Sequence, residues 1–386
     1  MNTLTRSLRR GIATLASRRI YIFMMVVVPA VTAFFFLNLM HEGLPLKVPV
    51  AMVDADHSAL SRKVTRSLNA SELTDITMDL ENYHSAIDKV RSGEIFGFFY
   101  IPNDFQEKAL SGRTPTLSFY TNMSIFVPGS LAYKGFKTIA VTTSGGIVKT
   151  SLAGVGVDEQ ESGSLLMPVA MDYHPIGNPC MNYNIYLSQS FLSAMIALLV
   201  MVITVFSIGY EIKWGTSPEW LRTAGGSMAV ALLGKLIPQS VLFTCIGVAI
   251  QSVMCGYLHF PMNCSPCVMM GAMLLLVLSS QAFGVIVMEI LPNLRLGLIV
   301  VSLVGILSFS IAGFSFPVDK MYGGIAIFSY IIPIRYYFLI YIDQALNGIP
   351  LYYSRIYFIV MLGMLLLPLL GLRRLRGKCL NPVYVP

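Results

Sequence analysis

Cys264-Ser-Pro-Cys267 is the sharpest reactive pattern in this 386-residue sequence, and its C-x-x-C spacing suits a redox pair or half of a metal site. A zinc site needs a second ligand pair that the sequence does not offer. The plainer reading is two small residues at a helix start, with Pro266 at an early helical position. Cys245 and Cys255 fall in an apolar run and read as packing residues. The segment GLRRLRGKC, 371–379, imitates a phosphate-binding loop. It has one residue too many between its glycines, and Cys379 stands where a Ser or Thr must ligate magnesium, so it reads as a basic anchor at a membrane end. The histidines His41, His57, His84, His174 and His259 form no convincing metal set, and no nucleophile-elbow pattern supports a Ser-His-Asp triad. No metal and no cofactor is expected in this chain, and catalysis within it is disfavoured.

The positioning elements are membrane helices. The chain is 55% hydrophobic and 12% charged, with mean hydropathy +0.67, whereas about a quarter of the residues in ordinary domains are charged. Apolar runs near 20–40, 185–209, 236–256, 266–288, 296–316 and 355–372 approach or reach the roughly 20 residues that cross a bilayer core, and their interiors hold no Asp, Glu, Lys or Arg. In a six-span arrangement, segments 1–19, 210–235, 289–295 and 373–386 share one face and carry thirteen basic residues against three acidic ones. The positive-inside rule places that face, with both termini, in the cytoplasm. The net charge of +7 therefore reports orientation and gives little support to nucleic-acid binding. Leu4, Leu8, Ile12 and Leu15 form one stripe of residues 1–19, which suits an amphipathic helix along the inner membrane surface. The long 20–40 run lacks a small-residue cleavage site and reads as an uncleaved anchor.

The stretch 323–346 also looks membrane-like but contains Pro333, Arg335 and Asp343. A charge at the bilayer centre costs on the order of 3 kcal/mol. A seventh span would also send Arg373, Arg374, Arg376 and Lys378 to the outer side. It is expected to form a broken, re-entrant pair within 317–350.

Residues 41–180 hold 15 of the 20 acidic residues. Strands are expected at 48–53, 74–80, 94–102 and 114–122, with helices between them, a longer helix at about 125–153 and a last strand near 168–174. That alternation predicts an extracytoplasmic α/β domain with a mixed sheet, inserted between the first and second spans. The fold class is thus a polytopic α-helical membrane protein with six transmembrane helices plus this domain, and five of the helices lie in 181–386.

Between the second and third runs lies a polar island, GYEIKWGTSPEWLRTAGG, 209–226, which holds both tryptophans. Ser217 suits an N-cap, Pro218 the first helical position and Glu219 the positive helix end, so a short helix is expected. Trp214 and Trp220 suit interface anchors, with an aromatic belt at the membrane surface as the plain alternative. The spans offer Gln189, Gln239, Gln251 and Gln281 but no interior charge, which disfavours coupling to an ion gradient.

The order of these parts resembles the membrane (permease) subunit of an ATP-binding-cassette exporter, in the type-2 export permease family with a large extracytoplasmic domain. The opening VPVAMVDADHSALSRKVTRSL and the later GEIFGFFYIPNDFQEKALSG are similar to that domain's segments. Glu211, Gly215, Thr216, Glu219 and Leu221 resemble the family's loop pattern, and Gly234, Lys235 and Pro238 its Gly-Lys-x-x-Pro. The sequence departs from the family where TAGG intervenes after the loop helix. The segments AGFSFPVDKM and IIPIRYYFLIYIDQALNG, which include Gly313, Pro317, Pro333, Arg335 and Asp343, resemble the outer re-entrant helices.

The resemblance implies that loop 210–227 is a coupling helix seated in a separate ATPase subunit, through Glu211, Lys213, Trp214, Gly215, Thr216, Pro218, Glu219, Trp220, Leu221 and Arg222. It implies ATP and Mg bound by that partner, a second permease chain, and a bacterial inner-membrane location. A periplasmic adaptor and an outer-membrane channel are further partners it suggests. The uncharged spans suit efflux of a lipophilic or amphiphilic compound, such as a drug-like molecule, a lipid or a glycolipid. The alternatives are an ion-coupled secondary transporter and a membrane sensor whose outer domain binds a ligand.

Overall fold

Where apolar residues continue for the width of a bilayer, the backbone can satisfy its own hydrogen bonds as a helix. The computed structural model describes residues 2–40, 43, 46–111, 113–123, 126–154, 177, 178 and 182–382. Among them are six helices long and apolar enough to cross a membrane: α2 (Arg19–Leu39), α7 (Tyr183–Lys213), α9 (Met228–Tyr257), α10 (Pro266–Ile290), α11 (Leu294–Ile311) and α14 (Leu351–Leu370). The chain is a polytopic, mostly helical membrane protein. It falls into two compact units, one within 1–43 and 175–386, the other within 44–174.

In the helical unit α7 is the most enclosed span and packs against both α10 and α11. An amphipathic helix, α1 (Thr3–Ser17), precedes α2. Of its apolar stripe, Leu4 and Ile12 stay exposed, while Leu8 and Leu15 are half-buried. The face beside that stripe carries a small-residue contact that hydropathy does not reveal, because Ser7 and Gly11 are buried against α9. A Cβ on Gly11 would collide with the Gly234 carbonyl, and one on Gly234 would collide with the Ser7 side chain. The two backbones therefore meet at a crossing of the small-residue kind. α8 (Ser217–Thr223) lies between α7 and α9, and α15 (Leu372–Leu380) follows α14.

Residues 323–346 form two helices, α12 (Gly323–Ile331) and α13 (Pro333–Leu346), bent by 80°. Pro333 lacks an N–H and pushes Ile332 into an extended conformation (φ −89°, ψ 122°), which breaks the helix there.

The other unit contains a four-stranded sheet of order β2-β1-β3-β4, formed by β1 (Val48–Asp54), β2 (Thr74–Asp79), β3 (Gly97–Ile101) and β4 (Ser118–Thr121). β1 runs parallel to β2 and β3, and β4 pairs antiparallel to β3 with Phe98 opposite Tyr120. The central strand is buried on both sides, which explains its unbroken apolar run VPVAMV. On one face Val50, Met52 and Phe99 pack with Val64 and Leu68 of α3 (Ala59–Asn69) and Leu131 of α6 (Phe126–Gly154). On the other, Ala51, Val53 and Phe98 pack with Ala86 of α4 (Tyr83–Ser92). A short helix, α5 (Phe105–Leu110), inserts Phe105 into the first face. The strand expected near 168–174 lies outside the described residues.

The DADHS segment closes the carboxyl end of β1. The two Asp54 oxygens accept from the Asp56 and His57 N–H groups at 3.1 Å each and from the Ser61 hydroxyl at 2.6 Å. Asp56 accepts from the Gln106 N–H at 3.2 Å, and Ser58 caps α3 by accepting from the Ser61 N–H at 3.0 Å. The segment thus serves the turn and the helix start. Replacing Asp54 with Ala should cost about 1–3 kcal/mol, because buried donors lose their acceptor. Amide exchange of residues 55–61 should accelerate while the spans keep their protection.

Candidate functional site

The polar island turns out to be fastened from beneath. Glu211, in the last turn of α7, is buried, and its Oε1 accepts from Lys235 Nζ at 2.8 Å. Its Oε2 pairs with Arg10 Nη2 of α1 at 3.3 Å and accepts from the Thr216 hydroxyl. Lys235 also donates to the Ser207 carbonyl at 2.9 Å and lies 4.3 Å from the centre of the Trp220 ring. Four elements, α1, α7, α8 with its entry turn, and α9, therefore converge on one carboxylate. A buried charge persists only when it is paired and hydrogen-bonded; Glu211 and Lys235 have both, while Arg10 pairs through Nη2 and keeps a buried Nη1 without a partner among the described residues.

Geometry divides the expected partner-contact residues into two groups. Trp220 is 2% exposed, with its indole N–H directed to the Ala231 carbonyl at 3.3 Å, and Leu221 is 1% exposed. Both belong to an internal cluster with Ile208, Ile212 and Met228. This corrects the expectation that Glu211, Trp220 and Leu221 face a partner, since their surface is spent inside the chain. The outward group is Lys213, Trp214, Gly215, Glu219 and Arg222, all exposed, with Thr216 and Pro218 half-buried beside them. Trp214 is 61% exposed. Gly215 holds φ +67°, a left-handed turn that glycine adopts without strain.

The start of the loop helix also differs from expectation. The N-cap is Thr216, and its hydroxyl serves the Glu211 carboxylate instead of the helix. Ser217, expected to cap, is helical and buried, and its hydroxyl donates to the Cys379 carbonyl of α15 at 2.8 Å. That bond ties the loop to the chain's last described helix. Burial pushes the Cys379 thiol up to about 12, so it stays protonated at neutral pH.

Gly234, Lys235 and Pro238 divide their tasks in a way the sequence pattern alone does not show. Gly234 admits α1 and Lys235 reaches Glu211, while Pro238 lies inside α9. Gly11 and Arg10 were missed by sequence reasoning. Their only signal was a glycine beside the apolar stripe of α1 and an arginine on the far side of that helix.

The bent pair holds the second set of candidates. Arg335 donates to the Ala312 carbonyl at 3.3 Å and the Ser329 hydroxyl at 3.4 Å, and it stands 4.9 Å from the Tyr330 ring centre. Its positive charge thus meets the carbonyl end of α11, where a cation is stabilising. Gly313 adopts φ +101°, and a Cβ there would come within 3.1 Å of the guanidinium. Pro317 precedes a short turn, Val318–Lys320. Asp343 accepts from the Ser354 hydroxyl at 3.0 Å, which joins the pair to the start of α14. Arg335 and Asp343 engage different partners and are not brought together.

The glutamines of the spans bond within the bundle. Gln189 and Gln251 both donate to the fully buried Tyr337 hydroxyl, at 2.8 and 2.5 Å, and Gln281 accepts from Ser240 at 2.7 Å. Cys264 and Cys267 are free thiols, with Pro266 at the start of α10. Among the described residues no group of three or more His, Cys, Asp or Glu side chains could hold a metal ion.

Residues 19–372 match the family described as ABC-2 family transporter protein, and the chain belongs to that family. No curated protein matches the chain.

The ion triad makes a direct prediction. Lys235→Met strands much of the buried Glu211 charge and should destabilise the helical unit by about 3–5 kcal/mol. The double variant Glu211→Gln, Lys235→Met should recover much of that loss, read as thermal unfolding midpoints of the detergent-purified protein.

Proposed function

We propose that this ABC-2 family member is the permease subunit of an ATP-driven exporter, energised by a separate ATPase subunit that docks on the loop between α7 and α9. The observation that carries this reading is the division of that loop. Its outward side presents Lys213, Trp214, Glu219 and Arg222, a mixed-charge strip with one aromatic anchor, while its inward side is locked to α1, α7, α9 and α15. Arg and Trp are the side chains on which interface energy concentrates. A rigid handle of this kind transmits a push, because packed elements move as bodies.

In this reading the loop and both termini are cytoplasmic, the membrane is a bacterial inner membrane, and the α/β unit stands outside. Two permease chains form the path, and ATP-driven closure of two ATPase subunits displaces the loops and opens a cleft between the permeases. ATP and Mg belong to the partner. The cargo is lipophilic or amphiphilic, a drug-like molecule or a lipid or glycolipid, because the span interiors carry no charge to hold a strongly ionic solute. A periplasmic adaptor and an outer-membrane channel would receive it. The bent pair α12–α13 dips in from the outer side and returns.

The test uses the exposed side of the handle. Trp214→Ala with Glu219→Ala should leave thermal stability within about 0.5 kcal/mol of the parent, since both side chains are exposed. The same variant should lower co-purification of the ATPase by about tenfold and reduce transport in proportion. Undiminished assembly together with undiminished transport would refute the docking site. Labelling of an engineered Cys at position 214 from the outer side would refute the orientation.

A further inference from the structure

The α/β unit has an open cleft of about 690 Å³ at the carboxyl ends of the parallel strands β1 and β2. Met52 and Leu80 supply its apolar part. One side is a single face of α3, where Arg62 and Arg66 stand one helical turn apart. The other is the end of β2 with the turn after it, which carry Asp79 and Glu81 and are anchored by the Leu80 N–H donating to the Met52 carbonyl at 2.8 Å.

Of the cleft's charges, the Asp54 carboxylate is taken up by the turn and the start of α3, whereas those of Arg62, Arg66, Asp79 and Glu81 are presented but not neutralised. Arg62 donates one Nη to the His57 carbonyl at 2.8 Å, and Arg66 donates its Nε to the Arg62 carbonyl at 3.3 Å. These bonds steady both stems and leave the outer guanidinium N–H groups of both residues to the cleft. No ion pair among the described residues engages Arg62, Arg66, Asp79 or Glu81, although other charged residues of the same unit do pair, as Lys89 does with Glu94 at 2.6 Å. His57, at the mouth, is held at φ +49°, an uncommon conformation for a residue with a side chain.

Each part of this arrangement selects a ligand chemistry. Two guanidinium forks on one face match a phosphate or carboxylate, which they bind through paired, charge-assisted hydrogen bonds. Carboxylates on the facing turn accept hydrogen bonds from hydroxyl groups, and they repel a bare anion that lacks such donors. The volume lies within the roughly 300–1,000 Å³ of small-molecule sites. We propose that this cleft binds a hydroxyl-rich organic anion of saccharide size, a phosphorylated or carboxylated sugar. The proposal concerns the α/β unit alone and stands whether or not the chain is an exporter.

Calorimetric titration of the full-length protein in detergent tests it with four probes: glucose 6-phosphate, glucuronate, glucose and inorganic phosphate. At least one sugar anion should bind about tenfold more tightly than glucose or phosphate, because only it engages both sides of the cleft. Arg62→Ala with Arg66→Ala should weaken that binding by about tenfold or more, and the milder Arg66→Lys, which keeps the charge but loses the fork, should weaken it measurably. Both arginines are exposed, so the variants should melt with the parent protein. Failure of both sugar anions to bind would overturn the proposal. So would phosphate binding as tightly as they do, which would mark an adventitious ion only. Binding unchanged in both arginine variants would overturn it as well.

Discussion

A single buried carboxylate holds the loop between α7 and α9 to the rest of the helical unit. Glu211 is reached by Lys235 from α9, Arg10 from α1 and Thr216 from the loop, and none of these contacts is local in sequence except the last. Burial makes the arrangement costly to break one partner at a time, since each loss leaves a desolvated charge without full compensation. The loop helix α8 inherits its position from this centre. Trp220 covers Lys235, and Ser217 anchors the opposite side to α15. The exposed residues Lys213, Trp214, Glu219 and Arg222 are thus tied through this centre to the ends of α7 and α9 and to α1.

Buried polar groups also join helices at the other end of the bundle, although the buried Arg335 Nε has no hydrogen-bond partner among the described residues. Arg335 caps the carbonyl end of α11, Asp343 receives the Ser354 hydroxyl, and Tyr337 accepts from glutamines on two different spans. In a hydrocarbon environment these bonds replace the water that such groups would otherwise require. They fix the 80° bend between α12 and α13 to the core of the helical unit. The protein thus concentrates its interhelical hydrogen bonds at a few junctions, and long apolar faces of α11 and α14 remain exposed.

Much of the fold was legible in the sequence because hydropathy is a property of contiguous residues. Six apolar runs became six helices, and Pro333 marked the break within the seventh apolar stretch. The strand-and-helix alternation after the first span matched the elements of the sheet unit up to α6, with the expected 168–174 strand outside the described residues. The candidate site was legible only in outline. Sequence singled out the loop between the second and third spans, yet it assigned Trp220 to a partner and helix capping to Ser217. Both assignments were decided by tertiary partners, Lys235 and Ala231 in the next span for the tryptophan and Cys379, 162 positions away, for the serine.

The sequence by itself determined where the chain enters an apolar phase, where it turns, and which short segment between spans is too polar to be buried in lipid. Those outcomes follow from local composition acting over about 20 residues. Tertiary structure alone decided which side of that segment faces outward, how α1 docks through Gly11 and Gly234, and that Arg10, Glu211 and Lys235 form one charge centre. The physical reason is that a charge gains a buried place only through a specific partner. Partners more than 20 positions apart are chosen by helix packing, and no local periodicity records that choice.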